Sequence, residues 1–361
     1  MAWIDDRLSR RLGFGAAETE TLFMTLAEID AIKTAFRLTD KLLPQTVDRL
    51  TLSVIVTSAG ASNRIEGNRL NDQEVEALYR RRPTGPLESR DEQEVAGYLE
   101  VLELVLGSYE HMPLTEALIL QLHRDMLKYS VRDERQRGRY KFGPNRVEAK
   151  DPGGNVVGII FDPTPPHLTP KAMEELMQWW HWAAQNSHKH PLLRIGSFIF
   201  EFLAIHPFQD GNGRASRLLT NLLLLQSGYA FSALVSHEKL IEGRKADYYL
   251  ALNRTQSTWQ SETENIHPWL EFFLQIILSQ AKGALEILEM DQTEHLLSEK
   301  QFALWQWTQT WNKPEFARKD AIEALCFPPR TVEACIKKLL DLGRLVRIGQ
   351  GRATRYRRKR G

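Results

Sequence analysis

The sequence predicts a mainly α-helical protein with a β-hairpin in its central part and a small C-terminal domain of helices and a second hairpin. Three observations predict this fold class. Apolar residues recur at three- and four-residue spacing through most of residues 17–128 and 170–291, where Leu, Ala, Glu and Gln dominate. Closely spaced Pro and Gly interrupt this pattern over residues 138–168. A further change of pattern begins near residue 296.

Several helices are expected in the helical part. The clearest are Glu92–Leu106, Leu114–Met126, Lys171–Ala184, Leu192–Ile205, Ala215–Gln226 and Pro268–Leu288. The segments 192–205 and 215–226 are strongly apolar, which is typical of buried helices, and Gly228 is placed to end the second one. The polar residues between these two segments therefore lie in a loop that leads into a helix N-terminus.

The interruption at 138–168 predicts a β-hairpin. Short extended runs at 145–149 and 155–161 flank the turn sequence Asp151-Pro152-Gly153-Gly154. A lone hairpin has little stability of its own in water. We therefore expect it to pack on the helical body or to bind a ligand, and a plain connector is the alternative.

The C-terminal residues 296–361 show a different order of elements. Three predicted helices are followed by two short strands around Gly349-Gln350-Gly351: Glu299–Trp311, Arg318–Leu325, Thr331–Leu342, Arg344–Ile348 and Ala353–Arg357. Three helices followed by a hairpin within about sixty residues are typical of a winged helix-turn-helix domain.

Composition limits the class of protein. The chain has 361 residues, 42% hydrophobic and 26% charged, as in an ordinary globular protein long enough for two or three domains. Its two cysteines form no CxxC pair, and the charged N-terminus lacks the apolar stretch of a signal peptide. No run approaches ~20 apolar residues. We therefore expect a cytoplasmic protein without membrane contact, and the oligomeric state stays open, a homodimer included.

Charge is unevenly distributed along the chain. Residues 342–361 contain eight Arg or Lys and no acidic residue, so residues 1–341 hold 39 basic and 46 acidic groups. The basic end would neutralise nucleic-acid phosphates without reading bases, which predicts weak, salt-sensitive DNA binding. Protein docking by the C-terminal domain is an equally open alternative, and so is a solvated terminus.

The most informative segment is His206-Pro207-Phe208-Gln209-Asp210-Gly211-Asn212-Gly213-Arg214-Ala215-Ser216-Arg217. It places a potential base, an acidic residue and two guanidinium groups where a helix begins. Free N–H groups and the helix dipole favour anions at such a position. Gly211 and Gly213 let the backbone approach a phosphate closely, and Arg214 and Arg217 can each bind two of its oxygens. The segment predicts a polyphosphate site beside His206.

This segment resembles the signature of the Fic (Fic/Doc) family, HPF-x-[DE]-GNGR-x-x-R, at all nine of its fixed positions. The resemblance implies a helical Fic domain over about 111–291, with 138–168 as the flap that pairs with a protein substrate. It also implies transfer of AMP from ATP to a Ser, Thr or Tyr hydroxyl of a protein, which could be the enzyme itself. Doc-like phosphotransferases carry Ala and Lys at the positions of Gly211 and Gly213, so two glycines favour AMP transfer. Phosphocholine transfer stays open.

The resemblance assigns roles to the residues of the motif. His206 would be the general base, since an imidazole can accept the proton of an attacking hydroxyl near neutral pH. Asp210 would hold Mg²⁺. The phosphates of ATP would contact five positions: Gly211, Asn212, Gly213, Arg214 and Arg217.

An upstream segment, Ser62-Asn63-Arg64-Ile65-Glu66-Gly67, matches the inhibitory pattern [ST]-x-x-x-E-[GN] of Fic proteins. Within an N-terminal helical region (1–110), it would form an inhibitory helix at about 57–67. Glu66 would pair with Arg217 and occupy the γ-phosphate position, so that ATP binds unproductively. A plain helix start is the alternative role of this segment. In some relatives the same glutamate serves removal of AMP, so a bifunctional enzyme stays open.

Two further hypotheses follow from the sequence. Tyr248 or Tyr249 would stack on adenine, because Gly243–Tyr249 resembles a family segment near the adenine pocket, although a helical Tyr pair is as often part of a core. The alternative function is a DNA-binding regulator in which the Fic domain senses a nucleotide.

Overall fold

The structure is a computed structural model of the chain, and it describes residues 7–38, 44–81, 87–150, 156–186, 188–295, 297–349, 351 and 354–359. The chain separates into two compact units, Met1–Ala284 and Leu285–Gly361. The described part is mainly helical, which confirms the predicted fold class. Among its helices, none has the length and apolar character needed to cross a membrane.

The helices up to the end of the first unit follow one another in this order: α1 (Arg7–Arg10), α2 (Ala16–Leu38), α3 (Pro44–Ile65), α4 (Asp72–Arg81), α5 (Arg90–Ser108), α6 (Glu116–Met126), α7 (Thr169–Asn186), α8 (Pro191–Ile205), α9 (Asn212–Gln226), α10 (His237–Gly243), α11 (Lys245–Gln256) and α12 (His267–His295). All six helices predicted from periodicity are present. Helix ends differ from the prediction by a few residues, and most at the C-terminal end of α12, where periodicity is least informative.

Helices α8 and α9 form the centre of the core. Almost every residue of both is buried, as their apolar sequences require. Helix α12 comes close to α8 at Gly196, where an added Cβ would lie 2.6 Å from Leu270. The indole Nε1 of Trp269 donates to the Gly196 carbonyl at 2.8 Å. This packing fixes α8, the helix that leads into the motif loop.

Helix α3 ends at Ile65, so Glu66 lies just beyond the helix that was expected over about 57–67. Gly67 has a φ of +100°, and the Asn68 N–H donates to the Asn63 carbonyl at 3.1 Å. This is the left-handed helix ending that glycine favours. It turns the chain so that Glu66 leaves the helix axis.

The predicted hairpin is present as β1 (Val147–Lys150) and β2 (Val156–Phe161), which are antiparallel. Val147 lies opposite Phe161 and Lys150 opposite Val156. The predicted turn Asp151-Pro152-Gly153-Gly154 falls outside the described residues.

The second unit contains α13 (Glu299–Thr310), α14 (Arg318–Leu325), α15 (Pro329–Asp341), β3 (Leu345–Ile348) and β4 (Arg355–Arg358). The two strands are antiparallel, and their hairpin meets Phe316 through an isolated bridge to Tyr356. A core that includes Leu304, Val332 and Leu339 is buried between the helices. Helix α15 begins two residues before the predicted start, because proline is favoured at the first position of a helix. The element order is the predicted one, and the winged-helix assignment stays a prediction.

Candidate functional site

His206 ends helix α8 and opens the motif loop. Its backbone is left-handed, with a φ of +53°, an uncommon conformation that often occurs at functional sites. The His206 N–H still closes the helix by donating to the Phe202 carbonyl at 2.9 Å. The ring Nδ1 lies 3.2 Å from the Leu203 carbonyl, which can only accept, so Nδ1 carries the hydrogen. Nε2 is therefore left as a proton acceptor.

The surroundings of His206 keep its ring neutral. Burial lowers the pKa of His206 to about 4, against the opposing effect of the Leu203 carbonyl. Lys141 adds to the lowering, and its Nζ donates to the Ile205 carbonyl at 3.0 Å. A neutral imidazole at physiological pH is the form that a general base requires. The role of Lys141 was not predicted from the sequence.

Two asparagines fix the loop that follows His206. The Asn212 side chain accepts from the Phe208 N–H at 2.8 Å and donates to the Phe208 carbonyl at 2.7 Å. Asn145, which the sequence analysis missed, donates to the carbonyls of His206 at 2.9 Å and Phe208 at 2.7 Å. The Asn212 side chain therefore holds the loop, which leaves its backbone N–H to face an anion.

His123 on α6 is a second unpredicted member of the site. Its ring stacks on Phe208 at 3.7 Å with an interplanar angle of 2°. Nδ1 accepts from the Gly138 N–H at 3.0 Å, so Nε2 carries the hydrogen that points to the Asp210 carbonyl, also at 3.0 Å. Burial lowers its pKa to about 4. The one signal in the sequence is that His123 shares a helical face with Ile119 and Met126.

Asp210 and Arg214 belong to a ring of alternating charges. Arg214 lies 3.3 Å from Glu94 and 3.5 Å from Asp210, and Arg90 of α5 lies 2.6 Å from Glu94 and 3.3 Å from Asp210. The Arg214 side chain is 2% exposed, and its Nε has no hydrogen-bond partner among the described residues. An unpaired buried donor is costly unless a ligand satisfies it.

The Asp210 carboxylate suits a divalent cation. Burial would raise its pKa, but Arg214, the Gly211 N–H and Arg90 outweigh burial and lower it. The group is therefore charged at neutral pH. Within the described ranges, no three His, Cys, Asp or Glu residues come together as a metal cluster. One carboxylate combined with phosphate oxygens is the arrangement that Mg²⁺ commonly uses.

Glu66 and Ser62 both contact Arg217. The Arg217 guanidinium donates to Glu66 Oε1 at 2.7 Å, to the Ser62 Oγ at 2.8 Å and to the Ser62 carbonyl at 2.9 Å. Burial would lower the pKa of Arg217, but Glu66 outweighs this effect and raises it. The structure therefore brings together the two segments that the sequence paired, across 151 residues.

Gly213 is the residue that makes room for this contact. A Cβ at this position would lie 2.1 Å from Glu66 Oε1, far inside van der Waals contact. The Glu66 carboxylate thus lies directly over the first turn of α9, where an anion is expected.

Arg64 fixes the end of α3 that carries Glu66. Its guanidinium pairs with Glu242 at 2.5 Å and with Asp72 at 2.8 Å, and donates to the Leu70 carbonyl at 2.9 Å. Glu66 is therefore presented from a well-anchored helix end.

Tyr248 and Tyr249 differ in their surroundings. Tyr248 is buried and packs against Trp269 and Phe272, so it is a core residue in this structure. Tyr249 is 43% exposed, and its hydroxyl lies 3.5 Å from the Ile65 carbonyl, next to Glu66. Of the two tyrosines, only Tyr249 presents a ring that an adenine base could reach.

A family model matches the part of the chain that contains the motif. A model of the Fic/DOC family matches residues 113–224. A probable protein adenylyltransferase of Aquifex aeolicus is 34% identical over 172 residues, or 41% of this chain and 48% of that protein. The protein adenylyltransferase Fic of Drosophila ananassae is 31% identical over 167 residues, or 46% of this chain and 31% of that protein. The chain thus spans half or less of the length of these two relatives.

Solved structures share the fold. A Fic family protein from Desulfovibrio desulfuricans G20 has a TM-score of 0.61 at 23% identity, covering 97% of this chain and 98% of that one. Fic-1 from C. elegans (residues 134–508 of that protein) has a TM-score of 0.59 at 20% identity, covering 76% and 74%. At these identities the likeness concerns the fold alone.

Proposed function

We propose that this chain, whose residues 113–224 form a domain of the Fic/DOC family, is a protein adenylyltransferase. It transfers AMP from ATP to a Ser, Thr or Tyr hydroxyl of a protein and releases pyrophosphate. The observation that carries the proposal is a neutral His206 with Nε2 left as acceptor, at the edge of a helix N-terminus lined by Arg214 and Arg217.

In this mechanism the protein mainly positions the reactants and neutralises the charge of the phosphates. Nε2 of His206 accepts the proton of the target hydroxyl while its oxygen bonds to the α-phosphorus. The bond from that phosphorus to the bridging oxygen breaks, and the electron pair leaves with pyrophosphate. The N–H groups of residues 212 and 213 and the two arginines bind the phosphate oxygens, while the Gly211 N–H donates to Asp210 Oδ1. Asp210 would hold Mg²⁺, which would reduce the negative charge of the triphosphate.

The same geometry supports self-inhibition. Arg217 is 2% exposed and already donates to Glu66 and Ser62, and the Glu66 carboxylate occupies the side of the guanidinium where a γ-phosphate would bind. ATP would then bind with its α-phosphate away from His206. Removal of Glu66 is the change that would free Arg217.

The proposal is tested by incubating the Glu66→Gly variant and candidate proteins with ATP labelled on either the α- or the γ-phosphate. Adenylyl transfer places only the α-label on protein. Phosphoryl transfer places only the γ-label there and would refute the proposal. The absence of both labels from every protein, the enzyme included, would favour a role as nucleotide sensor.

The low pKa of His206 predicts an unusual pH dependence. A base is active when neutral, so its activity is present above its pKa and is lost as the pH falls through it. With a pKa lowered to about 4, the rate of the Glu66→Gly variant at saturating ATP should stay level from about pH 7 down to about pH 5. A half-maximal rate near the ordinary histidine pKa of about 6.5 would contradict the lowered pKa of His206.

Weak nucleic-acid binding is the expected property of the second unit. Arg355, Arg357 and Arg358 on β4 are exposed, whereas the exposed face of α15 carries mixed charges such as Glu333 and Lys337. We expect duplex DNA to be retained only at low salt and to be released when these three arginines are changed to Gln. DNA retention that does not depend on salt concentration, or that persists when the three arginines are changed, would contradict weak electrostatic binding. Complete absence of DNA retention would favour protein docking.

A further inference from the structure

An exposed arginine reaches the site from helix α5. Arg90 is the first residue of α5, and its side chain is 47% exposed, in contrast to the buried Arg214. Its Nε donates to Glu94 Oε1 at 2.6 Å, and its Nη2 donates to Asp210 Oδ2 at 3.3 Å. Arg90 thus joins the motif loop although it lies 120 residues upstream of Asp210.

The position of Arg90 is electrostatically unusual. The first turn of a helix is the positive end of its dipole and favours acidic side chains. A capping box between Ser89 and Glu92 fixes this helix start, so Arg90 cannot move to another turn. Its charge is compensated by Glu94 and Asp210, which are also the partners of Arg214. Two arginines therefore share two carboxylates at the edge of an anion site.

A divalent cation on Asp210 would change this balance. Asp210 Oδ1 accepts from the Gly211 N–H at 2.6 Å, and Oδ2 accepts from Arg90. A cation held by the Asp210 carboxylate would reduce the negative charge that now holds Arg90 Nη2. Arg90 would keep its Nε contact with Glu94, and its Nη groups would become free to donate to a phosphate oxygen.

We propose that Arg90 is a further phosphate-binding residue of this site. Without a bound cation, Arg90 neutralises Asp210. When a divalent cation is bound to Asp210, Arg90 donates to an oxygen of the polyphosphate. The buried Arg214 Nε, unpartnered among the described residues, independently indicates an anion at this end of the ring. This inference rests on the proposed function, since it assigns a residue to the ATP site.

The test compares Arg90→Gln with the unchanged residue, both in the Glu66→Gly background, by titrating ATP at several Mg²⁺ concentrations. At saturating Mg²⁺ the loss of a charged donor should weaken ATP binding about tenfold. The Mg²⁺ concentration that gives half of the maximal ATP binding should fall, because Arg90 no longer competes with Mg²⁺ for Asp210. Arg80→Gln is the matched control, since Arg80 is an exposed arginine in an (i, i+4) pair with Glu76 on α4.

Weaker ATP binding combined with a lower half-saturating Mg²⁺ concentration separates ligand binding by Arg90 from a structural role. A general loss of site structure would weaken both ATP binding and the response to Mg²⁺, and that result would overturn the proposal. Unchanged ATP binding in Arg90→Gln would overturn it as well. Arg90→Lys should recover part of the ATP affinity. If Glu66→Gly alone neither binds ATP nor transfers AMP, the proposed function itself fails, which distinguishes that failure from one of Arg90.

Discussion

Replacing His206 with Ala is expected to reduce AMP transfer by about 10²–10⁴-fold, the usual effect of removing a general base. The imidazole acts on the incoming hydroxyl, and no phosphate contact is assigned to it. ATP affinity should therefore be unchanged within a small factor. The measurement is a single-turnover rate of label transfer in the Glu66→Gly background, with ATP binding measured separately.

The matched control for this variant is His181→Ala. His181 is an exposed histidine on α7, so its loss should leave both rate and affinity unchanged. Transfer by His206→Ala at close to the unsubstituted rate would remove His206 from the mechanism. A large loss of ATP affinity would instead place His206 among the nucleotide contacts.

Replacing Glu66 with Gly should give the largest gain in activity. The charged contact between Glu66 and Arg217 at 2.7 Å is lost, and Arg217 becomes available to a γ-phosphate. We expect AMP transfer to rise by about tenfold or more, since a hydrogen bond between charged groups contributes about 1.5–3 kcal/mol. The measurement is the initial rate of target or self-modification with Mg²⁺ present.

A double-mutant cycle tests whether the gain depends on Arg217. Arg217→Ala in the Glu66→Gly background should lose the gain, because both changes act on one contact. Glu88→Gly, which removes an exposed carboxylate from another non-helical position, should have no effect. If Glu66→Gly is no more active than the native chain on a competent target, Glu66 is not inhibitory.

Much of this site could be predicted because its central residues are contiguous. Residues 206–217 form one loop and one helix start, so local sequence determines which groups are close together. The helices on either side were predictable from their apolar sequences, which only a buried position explains. The contact between Glu66 and Arg217 was predictable only through the resemblance to a family pattern.

The remaining residues could not be predicted because they act through tertiary contacts. His123, Asn145 and Arg90 come from three different segments, and each reaches the loop across more than sixty residues. A single sequence does not indicate which residues come into contact when they are so far apart along the chain. It also misses how a side chain is used: Asn212 in the motif suggests a phosphate ligand, yet its amide is occupied by the Phe208 backbone.

The tyrosine pair shows the same limit. Adjacent positions on a helix point about 100° apart, so Tyr248 and Tyr249 could not both face a nucleotide. The apolar side chains of α12, including Trp269 and Phe272, decide which one is buried. Tyr249 is therefore the residue that we retain as a candidate for stacking on adenine.

Adenylyl transfer by His206 under the control of Glu66 is tested by the intact mass of proteins recovered from cells that express the native chain, Glu66→Gly, or Glu66→Gly with His206→Ala. We expect an added mass of one AMP that is abundant with Glu66→Gly, scarce with the native chain and absent with the double variant. AMP adducts that are equally abundant in all three, or an added phosphate in place of AMP, would contradict it.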